Sequence, residues 1–577
     1  MIKLLRYLKG YEKESVLGPL FKLLEATLEL FVPLVVASLI DVGIAENNTS
    51  YMLRMFIYLI LLGLVGLLFS VTAQFFAARA AVGFVKKIRQ ALFAHMESLS
   101  YTEIDRLGTA QMITRMTSDV NQVQAGMNLT LRLLLRSPFV VAGAFIMACH
   151  IDMQVARVFG LTILALVVIV FGIMFLTIPL YRRVQQRVDR VLAATRENLI
   201  GVRVIRAFGM EEDEKRRFND KQNELTRQQE FVGRISALLN PLSYSIINVG
   251  IALMIWKGAL QVEAGLLTQG AVVALYNYMA QILEELIKLA NMLINLTKAV
   301  ACGNRIQDVF ETKSCQQYPD STLDKPDDRA PQVVFEHVSL RYATGGEESL
   351  TDISFSVEKG MVVGIIGGTG SGKTSLVNLI PRFYDATRGS ILIEGIEVSR
   401  YSKKELREKI AVVPQKAVLV KGTIRDNLYW GKAGASDEEL WEALSVAQAK
   451  EMVEAKEGKL DFGIEQNGRN LSGGQKQRLT IARALVRKPD ILILDDSSSA
   501  LDYATDAALR NALKEMKDRP TVFLVSQRTV SIQHADLILV LEDGRLVGMG
   551  THEALLEECK TYEEIYSSQF KKEVSAS

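Results

Sequence analysis

Six apolar stretches crowd roughly the first 300 residues, and together they constrain the fold more than any other feature of this chain. Crossing a bilayer takes about 20 predominantly apolar residues. Residues 55–78, 159–180 and 235–256 carry no charge, and 265–283 is a fourth clear case. Residues 16–40 form a fifth, which holds Lys22, Glu25 and Glu29, and a weaker sixth runs over 131–149. A buried helix of a soluble protein explains one such run but not six in succession. The predicted fold therefore begins with an all-α, six-helix membrane domain.

The links between these stretches set the expected topology. Those near 41–50, 150–153 and 261–264 are short and hold no Lys or Arg. Those at 79–130 and 181–234 are long and basic, with Lys86, Lys87, Arg89, Arg182, Arg183, Arg187 and Arg190. The positive-inside rule puts the long links and both termini in the cytoplasm. They lack Pro/Gly clusters and keep helical patterning, which predicts helices projecting from the membrane rather than loops. Glu25 and Glu29 lie four apart on the first span, and Glu284 and Glu285 lie at the inner end of the last. Charges there face a cavity or a partner; for Glu284 and Glu285 that partner could be Lys288, one turn on.

Composition excludes other classes. Sixty-seven Lys+Arg against 65 Asp+Glu leave no basic footprint for nucleic acid. Cys149, Cys302, Cys315 and Cys559 are scattered, without metal-ligand spacing. Domain boundaries are expected at 1–312 for the membrane domain, 313–330 for a linker and 331–577 for a second domain. The linker holds Pro319, Ser321 and Pro326 and an acidic cluster of Asp324, Asp327 and Asp328. Beyond it, short β-type runs alternate with helical patterns, as in an α/β domain with a largely parallel sheet.

Three motifs in that domain carry chemistry. Gly367, Gly368, Thr369, Gly370, Ser371, Gly372, Lys373 and Thr374, followed by Ser375, fit the phosphate-binding loop G-x-x-x-x-G-K-[ST]. Its glycines let backbone N–H groups turn toward phosphate oxygens at a helix N-terminus. Lys373 supplies a point charge and the Thr374 hydroxyl a ligand for Mg²⁺. About 120 residues on, the apolar run 491–495 ends in Asp495, the expected acidic partner of Mg²⁺. Leu471, Ser472, Gly473, Gly474 and Gln475 open a further helix and offer a second anion site. Alone, this pentapeptide reads equally well as a glycine-containing helix cap.

Taken with the loop and the acidic strand, 471–475 resembles the signature sequence of ABC ATPases. The resemblance extends over nearly the whole chain. Gln415 matches the family's Q-loop glutamine, which ligates Mg²⁺ and senses the membrane domain. Tyr342 matches the aromatic residue that stacks on adenine. Residues 499–502 match the D-loop, and Gly544 and 550–553 match the C-terminal pattern. In the membrane half, 108–120 and 197–208 are similar to cytoplasmic segments of type IV ABC exporters. The resemblance implies ATP and Mg²⁺ as cofactors, with Thr374, Gln415 and Asp495 on the metal.

Two positions depart from the family pattern. Its catalytic base is Glu, whereas Asp496 is one methylene shorter, about 1.5 Å. Its switch residue is His, whereas Gln527 can donate but stays neutral. His534, seven residues further on, is expected to be a surface helix residue and no substitute. Both departures together look like the degenerate half of a heterodimeric bacterial exporter, with a second, different half-transporter as partner. The expected cargo is a small amphiphilic or drug-like molecule, with lipid or peptide export and a nucleotide-gated regulatory subunit as alternatives. The expected location is the bacterial inner membrane, with the ATPase domain in the cytoplasm.

Overall fold

The computed structural model describes residues 2–574 apart from Asp328 and Thr344, so Asp328 of the acidic linker cluster lies outside the described residues. The chain divides into two compact units: Met1–Glu97 with Ala110–Thr312, and Ser98–Thr109 with Lys313–Ser577. Sequence order puts 98–109 in the membrane half, yet this segment packs with the second unit. Its side chains explain why. Tyr101 sets its ring 4.8 Å from Phe383, and Glu103 accepts from the Cys315 N–H at 3.3 Å.

In the first unit, six helices among the described residues are long and apolar enough to cross a membrane: Glu12–Ile44, Thr49–Ser98, Thr109–Ile151, Met153–Ile200, Glu211–Glu263 and Gln269–Glu311. They contain the six apolar stretches, with one correction at 265–283. Gly265 takes φ +69° and ends the preceding helix, as a left-handed residue does just past a C-cap. Thr268 then caps the last span by accepting from the Ala271 N–H at 3.3 Å. The long basic links are helical, broken only briefly around 99–108 and 201–210. At 50 residues, Thr49–Ser98 is about 75 Å long, far more than the roughly 30 Å of hydrocarbon it must cross.

Charges inside this unit are paired. Lys22 and Glu25, both buried, meet at 2.5 Å. Arg136 bridges three helices, with Nη1 on Glu285 at 2.5 Å and Nη2 on Glu29 at 2.6 Å. Ser137 and Lys288 complete Glu285 at 2.7 and 3.1 Å. Glu284 stands exposed, with Lys288 at 3.4 Å. Of the two expected alternatives, Glu25 and Glu285 take a partner, because an unpaired buried charge is far more costly than a hydrogen-bonded ion pair, whereas Glu29 and Glu284 keep exposed surface.

The second unit is built on a six-stranded sheet in the order Arg545–Gly550, Leu537–Glu542, Val362–Gly367, Thr521–Val525, Ile491–Asp495, Ile410–Val413. All neighbours are parallel except the Arg545–Gly550 edge. Continuous β-branched and Leu runs fit strands buried on both faces, and every residue of Ile491–Asp495 and Thr521–Val525 is buried. A four-stranded antiparallel sheet, ordered Leu350–Val357, Val333–Leu340, Arg388–Ile393, Ile396–Glu397, packs beside it. The three strands that carry the motifs, 362–367, 521–525 and 491–495, are adjacent and end together. That is where open α/β sheets bind ligands.

Candidate nucleotide site

The carboxyl ends of these strands open into a cleft of about 640 Å³. It is lined by Thr369, Gly370, Ser371, Gly372, Lys373, Thr374, Ser375, Gln415, Asp495, Asp496 and Gln527, joined by Glu347, Glu348, Ser349, Asp543 and Gly544. The loop has a definite shape. Gly372 sits at φ +94° as the N-cap of helix Lys373–Leu379, and a Cβ there would lie 2.7 Å from the Ser349 carbonyl. Gly544, at φ +76°, packs on the same carbonyl. Only glycine fits at these two points, which explains the glycine of the C-terminal pattern.

Lys373 is nearly buried and donates to its own loop, to the Gly367 carbonyl at 2.9 Å and the Gly368 carbonyl at 2.6 Å. Burial holds its ammonium below the ordinary lysine range, against the pull of Asp496 and Asp495. Asp495 is buried too, and its carboxyl is pushed up by burial, opposed by the Thr374 hydroxyl and Lys373. Thr374 Oγ1 lies 3.1 Å from both Asp495 oxygens. A buried cation spending its donors on backbone stands beside a buried carboxylate and an exposed hydroxyl that opens to the cleft. The residues fit an anionic phosphate chain at Lys373 and a hard, oxygen-seeking cation at Thr374 and Asp495. Space supports this, since a Cβ added at Gly368 or Gly370 would meet nothing within 4 Å.

Asp496 takes φ +45°, a left-handed conformation that Asp tolerates better than most residues. Its N–H donates to the Val525 carbonyl at 3.0 Å, and its carboxylate accepts from Gln415 Nε2 at 3.2 Å. Gln527 lines the cleft, and its carbonyl accepts from Gln569 Nε2 at 2.8 Å. The Gln569 side-chain oxygen also accepts from the Thr529 N–H and hydroxyl, so it pins the whole segment after the Thr521–Val525 strand. No motif pointed to Gln569, because its effect passes through backbone 40 residues away. His534 is exposed, stands just past the short helix Thr529–Ile532 rather than within it, and does not line the cleft.

Tyr342 stands outside the cleft lining but bonds into it: its hydroxyl lies 2.9 Å from Ser375 Oγ. Ser472, Gly473, Gly474 and Gln475 are elsewhere. Ser472 caps helix Gly473–Leu485 in a reciprocal box with Gln475, at 3.4 and 3.1 Å. None of the four lines the phosphate-loop cleft. This box fixes Ser472 as the cap, so the helix starts at Gly473.

A phosphate loop at the head of a parallel sheet, joined to six membrane-crossing helices, defines a nucleotide-binding membrane protein that crosses the bilayer several times. Comparison with known proteins narrows the class. Residues 15–286 match the family described as ABC transporter transmembrane region, and residues 350–499 match ABC transporter. The chain is 35% identical over 577 residues, all of both chains, to the uncharacterized ABC transporter ATP-binding protein YfiB of Bacillus subtilis strain 168. It is 27% identical to the ATP-dependent lipid A-core flippase of Haemophilus ducreyi, over 98% of this chain and 97% of that one. Its fold matches a solved structure of a bacterial Atm1-family ABC exporter with a TM-score of 0.80, covering 97% of this chain and 98% of the other at 23% identity. The chain belongs to the ABC transporter family and has the ABC exporter fold.

Proposed function

We propose that this chain is one half of a heterodimeric bacterial exporter, embedded in the inner membrane with its ATPase unit in the cytoplasm. Its cargo is a small amphiphilic or drug-like molecule. The observation that carries the reading is the pairing of Asp496 and Gln527 in one cleft that otherwise holds the full phosphate apparatus. Bound Mg·ATP supplies the phosphoanhydride; Lys373 and the loop N–H groups hold its phosphates, Tyr342 stacks on its base, and Thr374, Asp495 and Gln415 hold the ion. Asp496 is too short by about 1.5 Å to place a water as Glu would, and misplacement by about 1 Å costs on the order of 10²-fold. Gln527 can donate to a phosphate oxygen but brings no positive charge.

The position of Ser472, Gly473, Gly474 and Gln475 outside this cleft supports a crossed arrangement, in which they complete a competent site on the partner. That partner has Glu and His at the two positions where this chain has Asp496 and Gln527. Among amphiphiles, the likeness to a lipid A-core flippase favours a lipid as the second reading. The test is ATPase in proteoliposomes, for this chain alone and with a co-expressed second half-transporter. Slow turnover alone and rapid turnover in the pair are expected. A stable homodimer of this chain with rapid, transport-coupled ATPase overturns the reading.

A further inference from the structure

Beyond the buried strand Thr521–Val525, the Ser526 N–H still donates to the Ile365 carbonyl at 3.1 Å and extends the sheet by one residue. Ser526 Oγ then accepts from the Arg528 N–H at 2.9 Å, which closes a tight turn around Gln527. Gln527 is the first residue clear of the sheet, exposed and lining the nucleotide cleft. One side chain from elsewhere holds this turn. Gln569 Nε2 donates to the Gln527 carbonyl at 2.8 Å, and Gln569 Oε1 accepts from the N–H and hydroxyl of buried Thr529, each at 2.9 Å.

A primary amide donates at one end and accepts at the other. Flipping it would set donor against donor at Thr529 and oxygen against oxygen at Gln527, so its orientation is fixed. The Gln527 carbonyl and the Thr529 N–H lie on either side of Arg528. Holding both fixes the peptide planes from which the Gln527 side chain starts.

Gln569 itself lies outside the cleft. It stands exposed on helix Lys560–Val574, whose place in the fold does not depend on it. Tyr562 of the same helix is fully buried, with its hydroxyl 2.7 Å from His552 Nδ1. Tyr562 and Ile565 pack into the core that also holds Ile532. The helix therefore has its own anchor, and the three hydrogen bonds of Gln569 hold the turn rather than the helix.

We propose that Gln569 is a positioning residue for Gln527: it holds the turn so that the Gln527 side-chain amide reaches the terminal phosphate of ATP, and so makes this site prefer ATP to ADP. The inference rests on the reading of Gln527 as the switch residue. The C-terminal helix thereby belongs to the nucleotide site, although none of its described residues lines the cleft. ADP lacks the phosphate that Gln527 would meet, so loss of positioning and general loss of stability leave different marks.

The experiment measures affinity of the full-length chain in nanodiscs, with Mg²⁺, for ADP and for the non-hydrolysable β,γ-imido analogue of ATP, by displacement of trinitrophenyl-ATP. Gln569→Ala removes all three hydrogen bonds; Gln569→Glu keeps the acceptor for Thr529 but turns an oxygen toward the Gln527 carbonyl. Each is expected to weaken the ATP analogue by about fivefold and ADP by less than about twofold. Gln527→Ala is expected to lose the same preference, and adding Gln569→Ala to bring no further loss, because Gln569 acts through Gln527. Equal weakening of both nucleotides by the Gln569 variants marks a structural loss and overturns the proposal, as does a further loss in the double variant. An unchanged Gln569→Ala beside a Gln527→Ala that loses the preference overturns the positioning role alone. A Gln527→Ala protein that keeps the preference overturns the reading of Gln527, and the proposal with it.

Discussion

Gly473→Asp, confined to this chain, is expected to lower ATPase of the assembled pair by about 10²–10³-fold, whereas Asp496→Asn in the same chain lowers it by less than about threefold. This inverts the order that motif reading alone predicts, in which the carboxylate after the acidic strand is indispensable. Nothing lies within 4 Å of a Cβ built on Gly473, so the new side chain meets no clash within the chain. The position opens helix Gly473–Leu485, where a carboxylate is favourable to the helix dipole. Folding is therefore preserved, and the damage falls on the phosphate bound opposite by the partner, which now meets a negative charge instead of N–H groups. Asp496 already lacks the reach of a Glu and already shares its carboxylate with Gln415. Steady-state phosphate release from the reconstituted pair checks both at once. Near-abolition by Asp496→Asn, with Gly473→Asp close to wild type, would assign the competent site to this chain instead.

Arg136→Ala is expected to cost about 3–5 kcal/mol of stability, the range for breaking one side of a buried ion pair. Arg136 is 7% exposed and holds Glu285, 3% exposed, and Glu29 on two other helices. Without it Glu285 keeps only Ser137 and Lys288. Arg136→Lys rescues little, since one ammonium does not reproduce a fork that reaches two carboxylates. Pairing Arg136→Met with Glu285→Gln recovers most of the loss by removing both charges. Glu284→Gln, on an exposed side chain, stays within about 0.5 kcal/mol of wild type. Thermal unfolding in detergent reads all four; an Arg136→Ala protein as stable as wild type would show that the cluster carries no structural weight.

Local pattern made some of this legible in the sequence. The strand Ile491–Asp495 falls where its apolar run predicts, and the six membrane helices contain the six apolar stretches. The helix start at 269 was displaced from 265 by its cap, whose side-chain geometry outweighs apolar periodicity at the ends. Contacts between distant residues were not legible. Arg136 pairs with Glu285 across 149 positions and Asp105 with Tyr384 across 279, and no period or spacing encodes such meetings. The phosphate loop was readable because its chemistry is contiguous. Gln569 was not, because it acts on Gln527 from a separate helix.

The Thr49–Ser98 helix has one more consequence. Unlike Glu12–Ser38 and Met153–Ile200, it contains no proline, and it runs as one uninterrupted α-helix through Gly63, Gly66 and Gly83. A continuous helix of about 75 Å is a lever: tilting it by about 5° sweeps its far tip through roughly 6–7 Å, more than one turn of helix. Small displacements at the Thr49 end become large ones at Ser98, the last residue of the helix. A tilt of the whole helix therefore moves its tip while every hydrogen bond of the helix stays intact.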